Sequence, residues 1–291
     1  LTTALSALVD AAQVFPSIIK ADLHACILHI FATILGTGAC QATVVPQSLP
    51  IFKRFVTSLT REAEATGDTS TQLRATLTRF LTILRHAQQR EFDAALACEK
   101  NTNLAATILL SSASSAFSPT DPLLSRFTAA LSDCLSARLT SKVAATCTRS
   151  LLLLPKTTPT ESAIAAQILP HALSFLTLPS SADPSAHPII ASSLVAFTAS
   201  LPASKRGTAA KLVIPALLAY AKSDESARAD TAAKLLELAS VDAEAFRGVV
   251  GELDAGQRSF MEGVLKSAQS GPRKEERSEG GEPTIALKMN F

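Results

Sequence analysis

The sequence predicts an all-α fold, a solenoid of stacked helical hairpins with a flexible C-terminal tail, and three observations carry that expectation. Apolar residues make up 47% of the chain while aromatic ones supply only 5%, which describes a core of Leu, Ala, Ile and Val suited to close helix packing; strands would bring more aromatics and a period-two alternation. Segments with apolar residues at helical spacing follow one another along the chain with short breaks. A short aliphatic-proline string also recurs: Val44-Val45-Pro46-Gln47-Ser48-Leu49 resembles Ile168-Leu169-Pro170-His171-Ala172-Leu173 and Val213-Ile214-Pro215-Ala216-Leu217-Leu218. The spacing of these prolines fits repeats of roughly 40–47 residues, the length of HEAT and armadillo units. A globular helical bundle is the alternative fold.

Taken in order, the first helix spans residues 1–14 and is closed by Pro16. The second, 20–35, sets Leu23, Ile27, Ile30, Phe31 and Ile34 on one apolar face and stops at Gly36 and Gly38. Helices follow over 41–61, 71–97, 101–116 and 122–137, the last begun by Asp121 as cap with Pro122 at the first helical position. The second half reads as helices over 142–154, 161–178, 188–201, 205–222 and 226–240, with two shorter ones over 243–250 and 255–267. Thr158 before Pro159 is a second cap signal, with Thr160 and Ser162 as competing candidates. Together these make a solenoid over 1–270, expected to be a fragment of a longer chain because no Met or signal peptide opens it.

The chain then changes character. Residues 271–283 are charged, Gly-rich and free of large apolar side chains, the composition of a flexible linker. Residues 284–291 alternate, with Ile285, Leu287, Met289 and Phe291 on one face of an extended segment. A solvated tail has no physical need for an apolar face, so this segment reads as one that docks in a groove of its own solenoid or on a partner, the alternative being a disordered tail with four incidental apolar residues.

Composition excludes several function classes. Mean hydropathy is +0.25, yet no run approaches the roughly 20 apolar residues a membrane-spanning helix needs. The most apolar stretch, 23–35, carries His24 and His29. Net charge is +2, and neither half has the positive excess of a nucleic-acid binder. Cys26, Cys40, Cys98, Cys134 and Cys147 are odd in number, widely spaced and without a CxxC pair, as expected of reduced, buried thiols. His24 and His29 sit about 140° apart on a helix and cannot share a metal. Gly36-Thr37-Gly38 lacks the preceding strand and the following Gly-Lys-Ser/Thr of a phosphate loop. No nucleophile elbow, metal motif or cofactor motif is present, and no enzyme is expected.

Basic side chains supply the binding candidates. Lys53, Arg54 and Arg61 share one predicted helix; Arg74, Arg79, Arg85 and Arg90 share the next, with Arg74 and Arg85 close in angle. They read as a solvated polar face or as a basic surface for acidic partner segments or anionic headgroups.

Three stretches carry a family resemblance: ATILGTGACQATVVPQSLPIFKRFVTSL over 32–59, Arg79-Phe80-Leu81-Thr82-Ile83-Leu84 with Ala87-Gln88-Gln89-Arg90, and Lys100-Asn101-Thr102 followed by 106–112. They resemble the carboxy-terminal region of the very long HEAT-repeat proteins that accompany the clathrin adaptor of the trans-Golgi network and endosomes. The resemblance is clearest over 25–115; the rest is Ala/Ser/Leu-rich and less diagnostic, although the closing IALKMNF is similar too. It implies a non-enzymatic, cytoplasmic scaffold without cofactor, peripherally and indirectly associated with clathrin-coated vesicles, binding adaptor accessory proteins or self-associating. Another solenoid binder (a transport receptor or a regulatory subunit) or a helical domain appended to an enzyme would share the same fold.

Overall fold

Apolar side chains every three or four residues can be buried only if each helix lies against another, and a chain with short links meets this by folding back repeatedly. The computed structural model shows this outcome. It describes residues 1–14, 17–62, 69–90, 94–177 and 182–269, so the linker expected over 271–283 and the extended segment over 284–291 lie outside the described residues.

Among the described residues there are thirteen α-helices and no strand. They are α1 (Thr2–Val14), α2 (Ser17–Gly36), α3 (Val44–Glu62), α4 (Thr69–Gln88), α5 (Ala95–Ser112), α6 (Pro122–Ser136) and α7 (Ser141–Leu152). Then come α8 (Pro159–Thr177), α9 (Ala186–Ser200), α10 (Ala203–Ser223), α11 (Arg228–Val241), α12 (Ala243–Glu252) and α13 (Ala255–Gln269). Helices pack against the next but one along both series: α1, α3, α5, α7, α9, α11 and α13 form one layer, and α2, α4, α6, α8, α10 and α12 the other. One hydrophobic core runs between the layers from Leu5 to Met261. None of the described helices is long and apolar enough to cross a membrane.

The thirteen segments read from sequence all appear. Steps within a layer, Val44 to Ala95 to Ser141 to Ala186, are 51, 46 and 45 residues, the scale expected of helical-hairpin repeats. The proline strings are only partly equivalent. Pro170 and Pro215 interrupt α8 and α10, neighbours in one layer, whereas Pro46 lies in the first turn of α3 in the other.

The boundary between α4 and α5 differs from expectation. A helix over 71–97 is broken after Gln88; Arg90 and Ala94 take positive φ (55° and 64°), and α5 starts at Ala95. No glycine or proline marks this corner, so the breaker signal was missing, and two ordinary L-residues adopt the left-handed region instead. Arg90 therefore does not belong to the α4 row.

Two caps are as the sequence anticipates. The Asp121 carboxylate accepts from the Leu123 N–H at 3.0 Å with Pro122 at the first position. At α8 the cap is Thr158, whose Oγ1 accepts from the Glu161 N–H at 3.2 Å while Glu161 Oε2 accepts from the Thr158 N–H at 3.0 Å. This reciprocal capping box satisfies two otherwise orphaned donors.

Candidate protein-interaction surface

Much of the polar chemistry in this chain is used to lock helices together. On α5, Glu99, Asn101, Thr102, Asn103 and Thr107 are all buried. Asn101 donates to the backbone carbonyl of Gln41 at 3.1 Å and to its side-chain oxygen at 3.0 Å. Gln41, itself 2% exposed, donates onward to the carbonyls of Leu35 (2.6 Å) and Thr37 (3.1 Å). The end of α2 thus has its free carbonyls answered from within. The Lys100-Asn101-Thr102 segment, singled out from sequence for its resemblance, is therefore a packing device.

The cysteines divide. Cys98, Cys134 and Cys147 are buried, whereas Cys26 is exposed and Cys40 half-buried, so the expectation of five buried thiols holds for three. Burial, then the neighbouring Glu99 carboxylate, pushes the Cys134 thiol up to about 12; burial pushes Cys147 up to about 11. These three are poor nucleophiles at neutral pH. Among the described residues no group of three or more His, Cys, Asp or Glu is arranged to hold a metal.

Three of the five histidines are also engaged. His24 packs edge-on against Phe55, and His29 Nδ1 meets the Arg79 guanidinium across α2 and α4. His187 is stacked between Phe175 (centroids 4.4 Å apart) and Tyr220 (5.3 Å). Burial holds its pKa below the ordinary value, against the opposing pull of the Pro184 carbonyl and the Asp224 carboxylate. None of these arrangements was legible in the sequence, because the partners come from other helices.

The basic candidates separate into committed and uncommitted groups. Arg54 pairs with Asp10 of α1 at 2.9 Å and also donates to Ser6 Oγ at 3.2 Å. Arg74 pairs at 3.1 Å with the Asp121 carboxylate, which is fully buried. Those two arginines serve the fold. Lys53 and Arg61 on α3 and Arg85 on α4 are exposed, and no ion pair to them is seen among the described residues. The structure gathers Lys53, Arg54 and Arg61 but does not join Arg74 or Arg85 to them. Ile285, Leu287, Met289 and Phe291 fall outside the described residues.

Two surface depressions lie at this end of the solenoid. One, about 450 Å³, runs along α3 beside the end of α1 and is lined by Gln13, Pro50, Lys53, Arg54, Thr57, Ser58 and Arg61. The other, about 440 Å³, lies between α2 and α4 over Cys26, His29, Gln72 and Arg79. Beyond His29 and Arg79 a smaller hollow continues towards Ile83. Both are open grooves between or along helices, the form in which solenoids present binding surfaces.

Comparison with known proteins adds a family. The one described as LAA1-like, C-terminal TPR repeats matches residues 120–278, more than half of the chain. No curated protein and no solved structure matches. The match falls on the less diagnostic Ala/Ser/Leu-rich stretch, beyond the 25–115 region where the resemblance is clearest. Stacked helical hairpins over α6 to α13 are what such repeats form, and the chain belongs to the LAA1-like family of C-terminal TPR repeats.

Proposed function

We propose that this chain is a non-enzymatic scaffold supporting clathrin-adaptor-dependent vesicle traffic between the trans-Golgi network and endosomes. LAA1 is the large accessory protein of the AP-1 adaptor, and membership of its family over 120–278 is the observation that carries this reading. Physical features support it. Two layers of hairpins give a long exterior with open grooves, while the reactive side chains of the interior are consumed in packing.

In this reading the chain works in the cytoplasm and meets vesicles through other proteins. Its contacts are adaptor accessory proteins or further copies of itself. Lys53 and Arg61, and separately Arg85, are exposed cations without an ion pair among the described residues that a partner can meet, while Arg54 and Arg74 on the same helices are held by Asp10 and Asp121. Ile285, Leu287, Met289 and Phe291 supply a second contact as an extended apolar segment.

The test is affinity capture from cytosol with the intact chain beside a version lacking residues 271–291, read by mass spectrometry. Recovery of adaptor subunits or their accessory proteins is expected, and loss with the truncation would place the contact in the tail. Recovery of neither by both versions contradicts the adaptor assignment.

A further inference from the structure

The groove along α3 carries a more specific statement, which rests on the protein-binding reading but not on the identity of the adaptor. Pro50, Lys53, Arg54, Thr57, Ser58 and Arg61 occupy successive turns of one helix, within an arc of about 140° at 100° per residue, and all line the same depression of about 450 Å³. Lys53 and Arg61 end it as exposed cations with no ion pair among the described residues. Between them Arg54 is fixed by Asp10 and Ser6, so the one acid of α1 beside the groove is already neutralised.

The hydroxyls of the floor are oriented as well. Thr57 donates to the Lys53 carbonyl at 2.8 Å and Ser58 to the Phe55 carbonyl at 2.7 Å. Their protons are used and their lone pairs remain available to an incoming N–H. Pro50 lacks an N–H, which leaves the Pro46 carbonyl without its usual helical partner at the far end of the same strip. Cations at the ends with acceptors between them match an extended peptide that brings carboxylates and backbone N–H groups.

The geometry points to an acidic peptide segment as the occupant, laid extended along α3 with carboxylates on Lys53 and Arg61. Eight helical residues separate the two cations by about 12 Å along the axis. Four residues of extended chain cover about 13 Å and return the side chain to the same face. The preferred ligand therefore carries Asp or Glu at positions i and i+4. Opposite charge and acceptor placement, both on the same strip, select this ligand over an apolar helix.

Binding of fluorescein-labelled nonapeptides to the full 291-residue chain, read by anisotropy at low and physiological salt, tests this. One peptide carries Glu at i and i+4 in a Gly/Ser/Ala background, one carries Glu at i and i+1, and one replaces both by Gln. The i, i+4 peptide is expected to bind most tightly, to weaken with salt, and to lose at least tenfold in affinity with Lys53→Glu/Arg61→Glu, whose melting temperature should match the parent because both side chains are exposed. An Arg126→Glu variant, at an exposed position of α6 that does not line the groove, is expected to bind as the parent does. Equal binding by the Gln peptide, equal binding by the double variant, or association with phosphatidylserine vesicles in co-sedimentation without peptide binding would each overturn the proposal. Failure to capture adaptor subunits from cytosol would leave this result standing.

Discussion

Arg54 and Arg74 show how much a single side chain's partner decides. In sequence they are equivalent to Lys53 and Arg85, basic residues on polar helix faces. In the fold Arg74 sits over a carboxylate with no solvent exposure of its own, so removing the guanidinium strands a buried charge. Arg74→Ala is expected to cost about 1–3 kcal/mol, seen as a lower urea midpoint at unchanged slope, while Arg85→Ala should stay within about 0.5 kcal/mol. A charge reversal at Arg74 would therefore report on folding before it reported on any partner. The thiols separate by the same logic of burial. Cys26 is expected to react with an aromatic disulfide reagent in the native protein, and Cys98, Cys134 and Cys147 only after unfolding, as mapped by peptide mass spectrometry. Rapid native labelling of Cys147 would show that α7 does not pack as described.

At the level of elements, the joints between helices set stability. The capping box at α8 couples Thr158 and Glu161, and Ser114 and Thr157 donate to the same carboxylate at 3.1 and 2.9 Å. Burial pushes the Glu161 carboxyl up, but the Thr158 N–H and the hydroxyls of Thr157 and Ser114 outweigh it and hold its pKa below the ordinary carboxylate value. The folded state thus favours the anion. Its contribution is present above the unfolded pKa and is lost as pH falls through the folded one. His187 acts in the same direction by a different route. Its pKa is lowered on folding, so the unfolded chain takes up the proton first and stability falls as pH drops below the ordinary histidine value. Denaturant midpoints should therefore decline in two steps, one below the ordinary histidine pKa and one below the ordinary carboxylate pKa. His187→Phe, which keeps the stack between α8, α9 and α10, should flatten the upper part of that decline, and Glu161→Gln the lower part. An unaltered profile in both variants would contradict these assignments. The α4–α5 corner gives a change of opposite sign: Ala94 holds φ at 64°, so Ala94→Gly is expected to stabilise by about 0.5–1 kcal/mol in thermal melts.

For the whole molecule, the helices were legible because each needs only local information: apolar spacing, a cap, a glycine or proline. The α4–α5 corner was not, since Arg90 and Ala94 turn the chain without any of these. The layers follow once hairpins of about 45 residues are stacked, but which prolines are equivalent does not, because Pro46 and Pro170 lie on opposite layers. The basic strip of α3 was readable as a row of charges; that Arg54 is spent on Asp10 and that Lys53 and Arg61 frame a groove required the fold. Buried polar contacts such as Gln41 with Asn101 were beyond reach, being made between distant segments.

Under the proposed function, the exterior of this solenoid meets adaptor-associated proteins. Proximity labelling in living cells tests that most directly, with a biotin ligase fused to the chain and a ligase fused to an unrelated helical-repeat protein as reference. Enrichment of AP-1 subunits or their accessory proteins over the reference is the predicted result. A labelled set without them, from a fusion that is folded and expressed at the same level, would contradict it.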